Sequence, residues 1–302
     1  MAARPVEDRT APLSSGAANL LFAAPALLLF GGFVLLPVGS AFFYAFTHWD
    51  GFTAPRWAGL ANFERAFADT THLMSYVHVV LYILGTLVLE VSVGLGVAVL
   101  LNSERRGFSL LRGCYFSPVV LSMSAAGVLW AFVLDYRSGL LNSLLRAVGA
   151  DDLAQPWLSQ PTTALIAIMV VSGWKFSGFY MVIFFAALRR IPRNLYEAAI
   201  LDGAGPFRRF FSITLPLLRQ NVMVAVLLAI TGGFAGFDLF FAMTNGGPFG
   251  ATEVPATWIM KTAFDKNELS YGVALTVVLA VVVMAISLIY LRVSERLSVH
   301  RY

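Results

Sequence analysis

The chain has 302 residues, of which 58% are hydrophobic and only 13% charged, about half the charged share of an ordinary soluble domain. A soluble fold of this length cannot hide so much apolar surface, so the composition excludes a protein surrounded by water on all sides and selects lipid. The net charge of +4 resides in Arg-rich loops between apolar runs, which reads as membrane orientation and excludes a nucleic-acid partner.

In chain order, the first 18 residues, with Pro5, Pro12, Ser14, Ser15 and Gly16, read as a flexible cytoplasmic tail. Six apolar runs follow, each long enough to cross the roughly 30 Å hydrocarbon layer as a helix. They cover Leu20 to Phe46, Leu73 to Leu101, Arg112 to Leu134, Thr162 to Leu188, Gln220 to Phe241 and Tyr271 to Leu291. The first is too long for a signal-peptide core. The expected architecture is therefore all-α: a polytopic membrane protein with six transmembrane helices over residues 19–302.

An even number of spans puts both termini on one side, and Lys and Arg choose the side. Fourteen of them fall on the terminal side, six in the loop between the fourth and fifth runs (Arg189, Arg190, Arg193, Arg208, Arg209, Arg219), and six fall on the other. Positive loops stay in the cytoplasm. Both termini are expected there, with the loops around 48–71, 136–161 and 242–270 facing outward.

Three runs carry a charge: Glu90 in the second, Lys175 in the fourth and Asp238 in the fifth. Ionisable groups at membrane depth are costly and signal a pathway or an interhelical pair. With Trp174 and Phe237 beside them, Lys175 and Asp238 are candidates to line a solute cavity, because sugar sites combine hydrogen-bonding groups with flat apolar faces. The same charges leave open an ion-coupled secondary solute carrier, although no internal repeat supports it. The lone Cys114 cannot form an intrachain disulfide, and the four histidines lack metal-ligand spacing, so no metal site is expected.

The loop from Arg189 to Arg219 is patterned. Pro192 can open a helix, Arg193 to Leu201 supplies helix formers with one apolar side, and Gly203 can end it at a left-handed position. Pro206 can start a second short helix, and Pro216 breaks that run before the fifth span. An apolar helix face in water needs a partner to cover it, and Glu197 and Asp202 offer carboxylates to basic residues of such a partner.

Glu197-Ala198-Ala199, Asp202-Gly203-Ala204-Gly205 and the ending Ile213-Thr214-Leu215-Pro216 resemble the "EAA" loop of binding-protein-dependent ABC importer permeases. Thr244-Asn245-Gly246-Gly247-Pro248, Thr252-Glu253 and Lys261-Thr262-Ala263-Phe264, with Ala24-Pro25, Pro37 and Gly59-Leu60-Ala61-Asn62-Phe63 earlier, resemble the carbohydrate branch, in its compact six-span form. The resemblance implies that Glu197 to Gly205 docks in a cleft of a separate ATPase subunit. It also implies that Asn245, Gly246, Gly247 and Pro248 form an outer turn meeting an extracytoplasmic substrate-binding protein. The implied assembly has a second homologous permease, two ATPase subunits and a sugar substrate, within lipid of the inner membrane. ATP and Mg belong to the ATPase partners, and no cofactor belongs to this chain. The sequence has no Gly-x-x-x-x-Gly-Lys-[Ser/Thr] loop, Gly-x-Ser-x-Gly elbow or His-Glu-x-x-His pair, so no enzymatic activity is expected.

Overall fold

A computed structural model describes residues 16–103 and 107–299. Residues 1–15 of the expected tail lie outside them, and the first helix begins at Gly16. Among the described residues the regular structure is helical apart from one two-residue strand pairing.

Helix α1 (Gly16–Phe30) continues through a π turn (Gly31–Leu35) into α2 (Leu36–Ala45). A short antiparallel pair, β1 (Thr47–His48) with β2 (Arg56–Trp57), and α3 (Ala61–Ala68) form the first loop. Helix α4 (Thr70–Thr86) passes a second π turn (Leu87–Ser92) into α5 (Val93–Leu100). Helix α6 (Phe108–Phe116), the 3₁₀ turn Ser117–Val120 and α7 (Met123–Val133) follow, then α8 (Leu140–Ala147) and the long α9 (Pro161–Leu188). The patterned loop holds α10 (Arg193–Leu201), α11 (Pro206–Arg209), the π turn Phe210–Thr214 and α12 (Leu215–Leu217). The chain closes with α13 (Arg219–Phe234), α14 (Asp238–Met243), α15 (Pro255–Met260), the π turn Lys261–Asp265 and α16 (Leu269–Val299).

Four helical stretches are long and apolar enough to cross a membrane: Phe22–Ala45, Thr70–Leu100, Pro161–Leu188 and Leu269–Ser294. Two further candidates are bent pairs, Phe108–Val120 with Met123–Val133 at 97° and Pro206–Leu217 with Arg219–Phe234 at 71°, which make six if each is one span. The third run is thus sharply broken rather than straight. The fifth ends at Phe234, so Asp238 stands beyond a break and not inside a continuous helix.

Helix α9 is the axis of the bundle. Ile168, Val171, Met181 and Phe184 are buried on it, packed with Val79 and Ile83 of α4, Phe240 of α14 and Ala225 of α13. Lipid tails are as apolar as leucine, so this packing rests on close fit and polar links, not on escape from water. The fit uses glycine where backbones nearly touch. A Cβ on Gly94 of α5 would stand 2.8 Å from the Ser177 carbonyl, and one on Gly173 of α9 would stand 2.7 Å from Leu89 Cβ.

At the end of the molecule where α4 and α16 begin, Asp69 draws the segments together. It caps α4 by accepting from Thr71 N at 3.0 Å and His72 N at 3.1 Å. Its other oxygen accepts from Trp258 Nε1 at 3.0 Å and Tyr271 OH at 2.9 Å. Burial alone would raise this carboxyl, but the four donors hold it below the ordinary carboxylate range. Arg65 adds an ion pair to Glu268 at 2.7 Å and lies 4.0 Å over the Tyr271 ring.

Candidate translocation path and coupling loop

The loop after α9 is built as a presented surface. Pro192 is the residue before the first turn of α10, one place earlier than expected, with extended backbone that suits it. At the other end Asp202 is the C-cap and Gly203 has φ +73°. Gly203 N donates to Ile200 O at 3.0 Å, and Ala204 N donates to Ala199 O at 2.8 Å. That pair of bonds is a Schellman motif, which uses the left-handed glycine to satisfy carbonyls orphaned at a helix end. The chain then turns directly into α11 at Pro206. Tyr196 OH meets Thr214 Oγ1 at 2.9 Å and ties α10 to the following helical segment.

The outer side of this elbow is bare. Leu201 is 89% exposed and Phe207 81%, with Leu195, Ile200 and Phe211 also exposed. Glu197, Ala198, Asp202, Gly203 and Gly205 are exposed, Ala199 and Ala204 half-buried, and nothing lies within 4 Å of where a Cβ on Gly203 or Gly205 would stand. Among the described residues, Glu197 and Asp202 make no side-chain hydrogen bond. An exposed apolar elbow flanked by free carboxylates is a surface that water covers poorly and a partner can bury.

The two broken runs pack against each other. Between Ser117–Val120 and α7, Leu121 and Ser122 are extended, with ψ 145° and 153°. Ser122 Oγ accepts from Ala125 N at 3.2 Å and caps α7. In the other run, the chain breaks at Ala235 to Phe237 before α14. Ser124 Oγ donates to Asp238 Oδ1 at 3.3 Å, joining the residues just past both breaks. Below that link α7 and α14 are in tight contact: a Cβ on Gly127 would stand 2.7 Å from Ala242 Cβ. Trp174 packs edge-on to Trp130 with centroids 5.5 Å apart, and Phe237 stacks with Phe241 at 5.1 Å. The Trp130 indole N–H is buried with no partner among the described residues.

The expected charges do not form one relay. Lys175 is buried, and its ammonium donates to Pro118 O at 3.3 Å, Val119 O at 3.1 Å and Leu121 O. Glu90, buried in the second π turn, accepts from Ser172 Oγ at 2.6 Å, and Ser172 in turn meets Tyr82 OH at 2.8 Å. Asp238 is exposed beside Ser124. So Phe237 and Asp238 border a break, Trp174 packs on Trp130 farther along α7, Lys175 supports the other break from behind, and Glu90 links α9 to the second run elsewhere.

The turn at Asn245 to Pro248 is knit to the segments after it. Asn245 (φ +45°) and Gly246 (φ +77°) are left-handed, and the Gly247–Pro248 peptide is cis. Lys261 Nζ donates to Asn245 O at 2.7 Å and to Glu253 Oε2 at 2.7 Å. Thr252 Oγ1 donates to Gly247 O at 2.6 Å. A Cβ on Gly246 would stand 2.7 Å from the Lys261 ammonium, which is why glycine is needed there.

Ser124, Ser172 and the Lys261–Glu253 pairing were not singled out as site residues from the sequence. Ser117-Pro118 and Ser122-Met123-Ser124, inside an otherwise apolar run, were the available signal: a missing N–H and three hydroxyls mark a place where a helix yields.

Comparison with known proteins gives the family and the fold. Residues 91–299 match the family described as "Binding-protein-dependent transport system inner membrane component". A probable ABC transporter permease, YurN of Bacillus subtilis, is 35% identical over 90% of this chain and 94% of its own length. The diacetylchitobiose uptake system permease NgcF of Streptomyces coelicolor is 35% identical over 88% of this chain and 78% of its own. In fold, the chain is similar to a subunit of a bacterial ABC transporter that imports the acidic polysaccharide alginate, with a TM-score of 0.80, 21% identity and coverage of 93% and 96%. This is a transport component and not an enzyme, and the ion-coupled alternative gives way to the ABC class. By the match over its last two-thirds and by these relatives, the chain belongs to the binding-protein-dependent ABC transport family, as one of its inner membrane permease components.

Proposed function

We propose that the chain is the membrane-spanning subunit of an ATP-driven importer for a sugar or sugar-like solute. It works beside a second homologous permease, two ATPase subunits that bind ATP and Mg, and an extracytoplasmic binding protein. The observation that carries this reading is the exposed α10–α11 elbow: a rigid helix, a Schellman turn, an apolar outer side and two uncommitted carboxylates. Glu197 to Gly205 seat in the ATPase. Closure of the ATPase pair moves the elbow, and the packed helices around α9 follow as a rigid body.

The sugar class rests on the relatives, because NgcF is named for diacetylchitobiose uptake and shares a third of its residues with this chain. The path passes the two helix breaks. Irregular backbone at membrane depth is tolerated only where it is buried in protein or lines a wet cavity. Phe237 supplies a flat face there and Trp174 another farther along α7, and Asp238 and Ser124 supply polar groups, with Lys175 behind them. The Asn245–Pro248 turn meets the binding protein, held in shape by Lys261. In this reading each bent pair counts as one of six spans and both termini lie in the cytoplasm of a cell whose inner membrane holds the protein, a reading supported by the arginines of the α10–α11 loop.

The test is reconstitution. Sugar uptake into liposomes is expected only when the ATPase subunits and ATP accompany both permeases. Uptake by this chain alone, driven by an ion gradient, would contradict the proposal.

A further inference from the structure

A 97° bend within a membrane-spanning run sets a problem for the backbone. At the end of the Ser117–Val120 turn the Pro118 carbonyl keeps one backbone donor, Leu121 N at 3.2 Å, whereas the Val119 and Leu121 carbonyls accept from no backbone N–H among the described residues, and Leu121 and Ser122 are extended. In lipid each unsatisfied group is expensive. A straight helix through residues 108–133 would satisfy them internally, so something must favour the broken form.

Lys175 supplies it. Its side chain is buried, and its ammonium reaches the carbonyls of Pro118, Val119 and Leu121 from the neighbouring helix α9. One positive group thus serves the two carbonyls left without a backbone donor, and the second lone pair of the Pro118 carbonyl, at a helix C-terminus, the end where cations are favoured. No carboxylate accepts from it among the described residues; Glu90 is committed to Ser172 and Asp238 to Ser124. Pro118 adds to the effect, since it has no N–H to donate. The far side of the break is closed by the Ser122 cap on α7.

We infer that Lys175 is a positioning residue for translocation: it acts through the backbone of residues 118–121 to hold the third run broken. The break in turn places Ser124 against Asp238 at the junction of the two breaks. Lys175 acts on the solute only through that geometry. The functional half of this inference rests on the importer reading; the geometric half does not, and it is what the experiment reads.

Spin labels at Leu111→Cys and Val128→Cys, in a Cys114→Ser background, sit on exposed positions of the two arms. Their separation is measured in the assembled transporter in nanodiscs, without substrate. Lys175→Met is expected to lengthen it by about 7 Å as the arms swing toward a line, given a rise of roughly 1.5 Å per residue. Lys175→Arg, which keeps charged donors, is expected to restore the short separation. An unchanged separation in Lys175→Met overturns the inference. So does loss of both variants from the membrane, the result a residue needed only for packing would give. Where Lys175→Met alone is not recovered, Lys175→Gln is measured. Its amide is one bond shorter and reaches fewer carbonyls, so a lengthened separation supports the clamp and a wild-type one overturns it.

Discussion

Single residues in this chain act through backbone geometry as often as through their own chemistry. Gly203 is the clearest case. At φ +73° a β-branched side chain is strained by about 1–2 kcal/mol, while asparagine visits that region readily. Gly203→Val is therefore expected to fray the end of α10 and reduce coupled uptake, and Gly203→Asn to retain most of it; uptake measured alongside ATPase co-purification checks both. Asp69 is the second case. Asp69→Ala is expected to lose about 1 kcal/mol from the cap of α4, together with the Trp258 and Tyr271 bonds. Its carboxyl is depressed in the folded chain, so its contribution is complete above the unperturbed value of 3.8 and fades as pH falls through the lower folded value. Melting temperatures of wild type and Asp69→Ala should differ at pH 7 and converge in acid; a gap independent of pH would argue that the carboxylate form is not what matters. The role of Gly203 was legible from sequence, because a glycine just past a run of helix formers marks a left-handed end. The partners of Lys175 were not, because they are carbonyls that only a break makes available.

Elements were legible where run length alone decides them. The long apolar runs at Leu20, Leu73, Thr162 and Tyr271 all appear as helices long enough to cross. The two breaks were harder to read for a physical reason: each lies inside a run whose overall length and hydropathy suit a single span, so a few serines and a proline near Leu121, or one aspartate after Phe237, do not by themselves end the element. Gly232, Gly233 and Gly236 near the second break are the counterpart hint there, weak helix formers close together. Packing between elements also escapes composition. Helices α5 and α9 approach until Gly94 faces the Ser177 carbonyl. Gly94→Leu is expected to force them apart, at about 1–3 kcal/mol, and to lower the thermal stability of the detergent-purified protein; an unchanged melting profile would mean the two helices adjust freely.

At the scale of the whole molecule the account is one of handle and axis. The elbow of α10 and α11 projects from one end of α9, and the two breaks lie along the same bundle. In the proposed mechanism a push on the elbow reaches the breaks through packed helices rather than through any charge relay. Orientation was read from the distribution of arginine alone, and it predicts that a fluorescent protein fused to the C-terminus is bright, while a periplasmic reporter in loop 136–161 is active; the reverse pattern would invert the topology. The central claim is that the elbow is the part an ATPase grips. It is tested most directly by Ala198→Cys in a Cys114→Ser background of the assembled transporter, treated with a short bis-maleimide. The account predicts an adduct between this chain and the ATPase subunit, with position 198 protected from a water-soluble maleimide. A position 198 labelled freely in the full assembly, with ATPase adducts arising only from other segments, would contradict it.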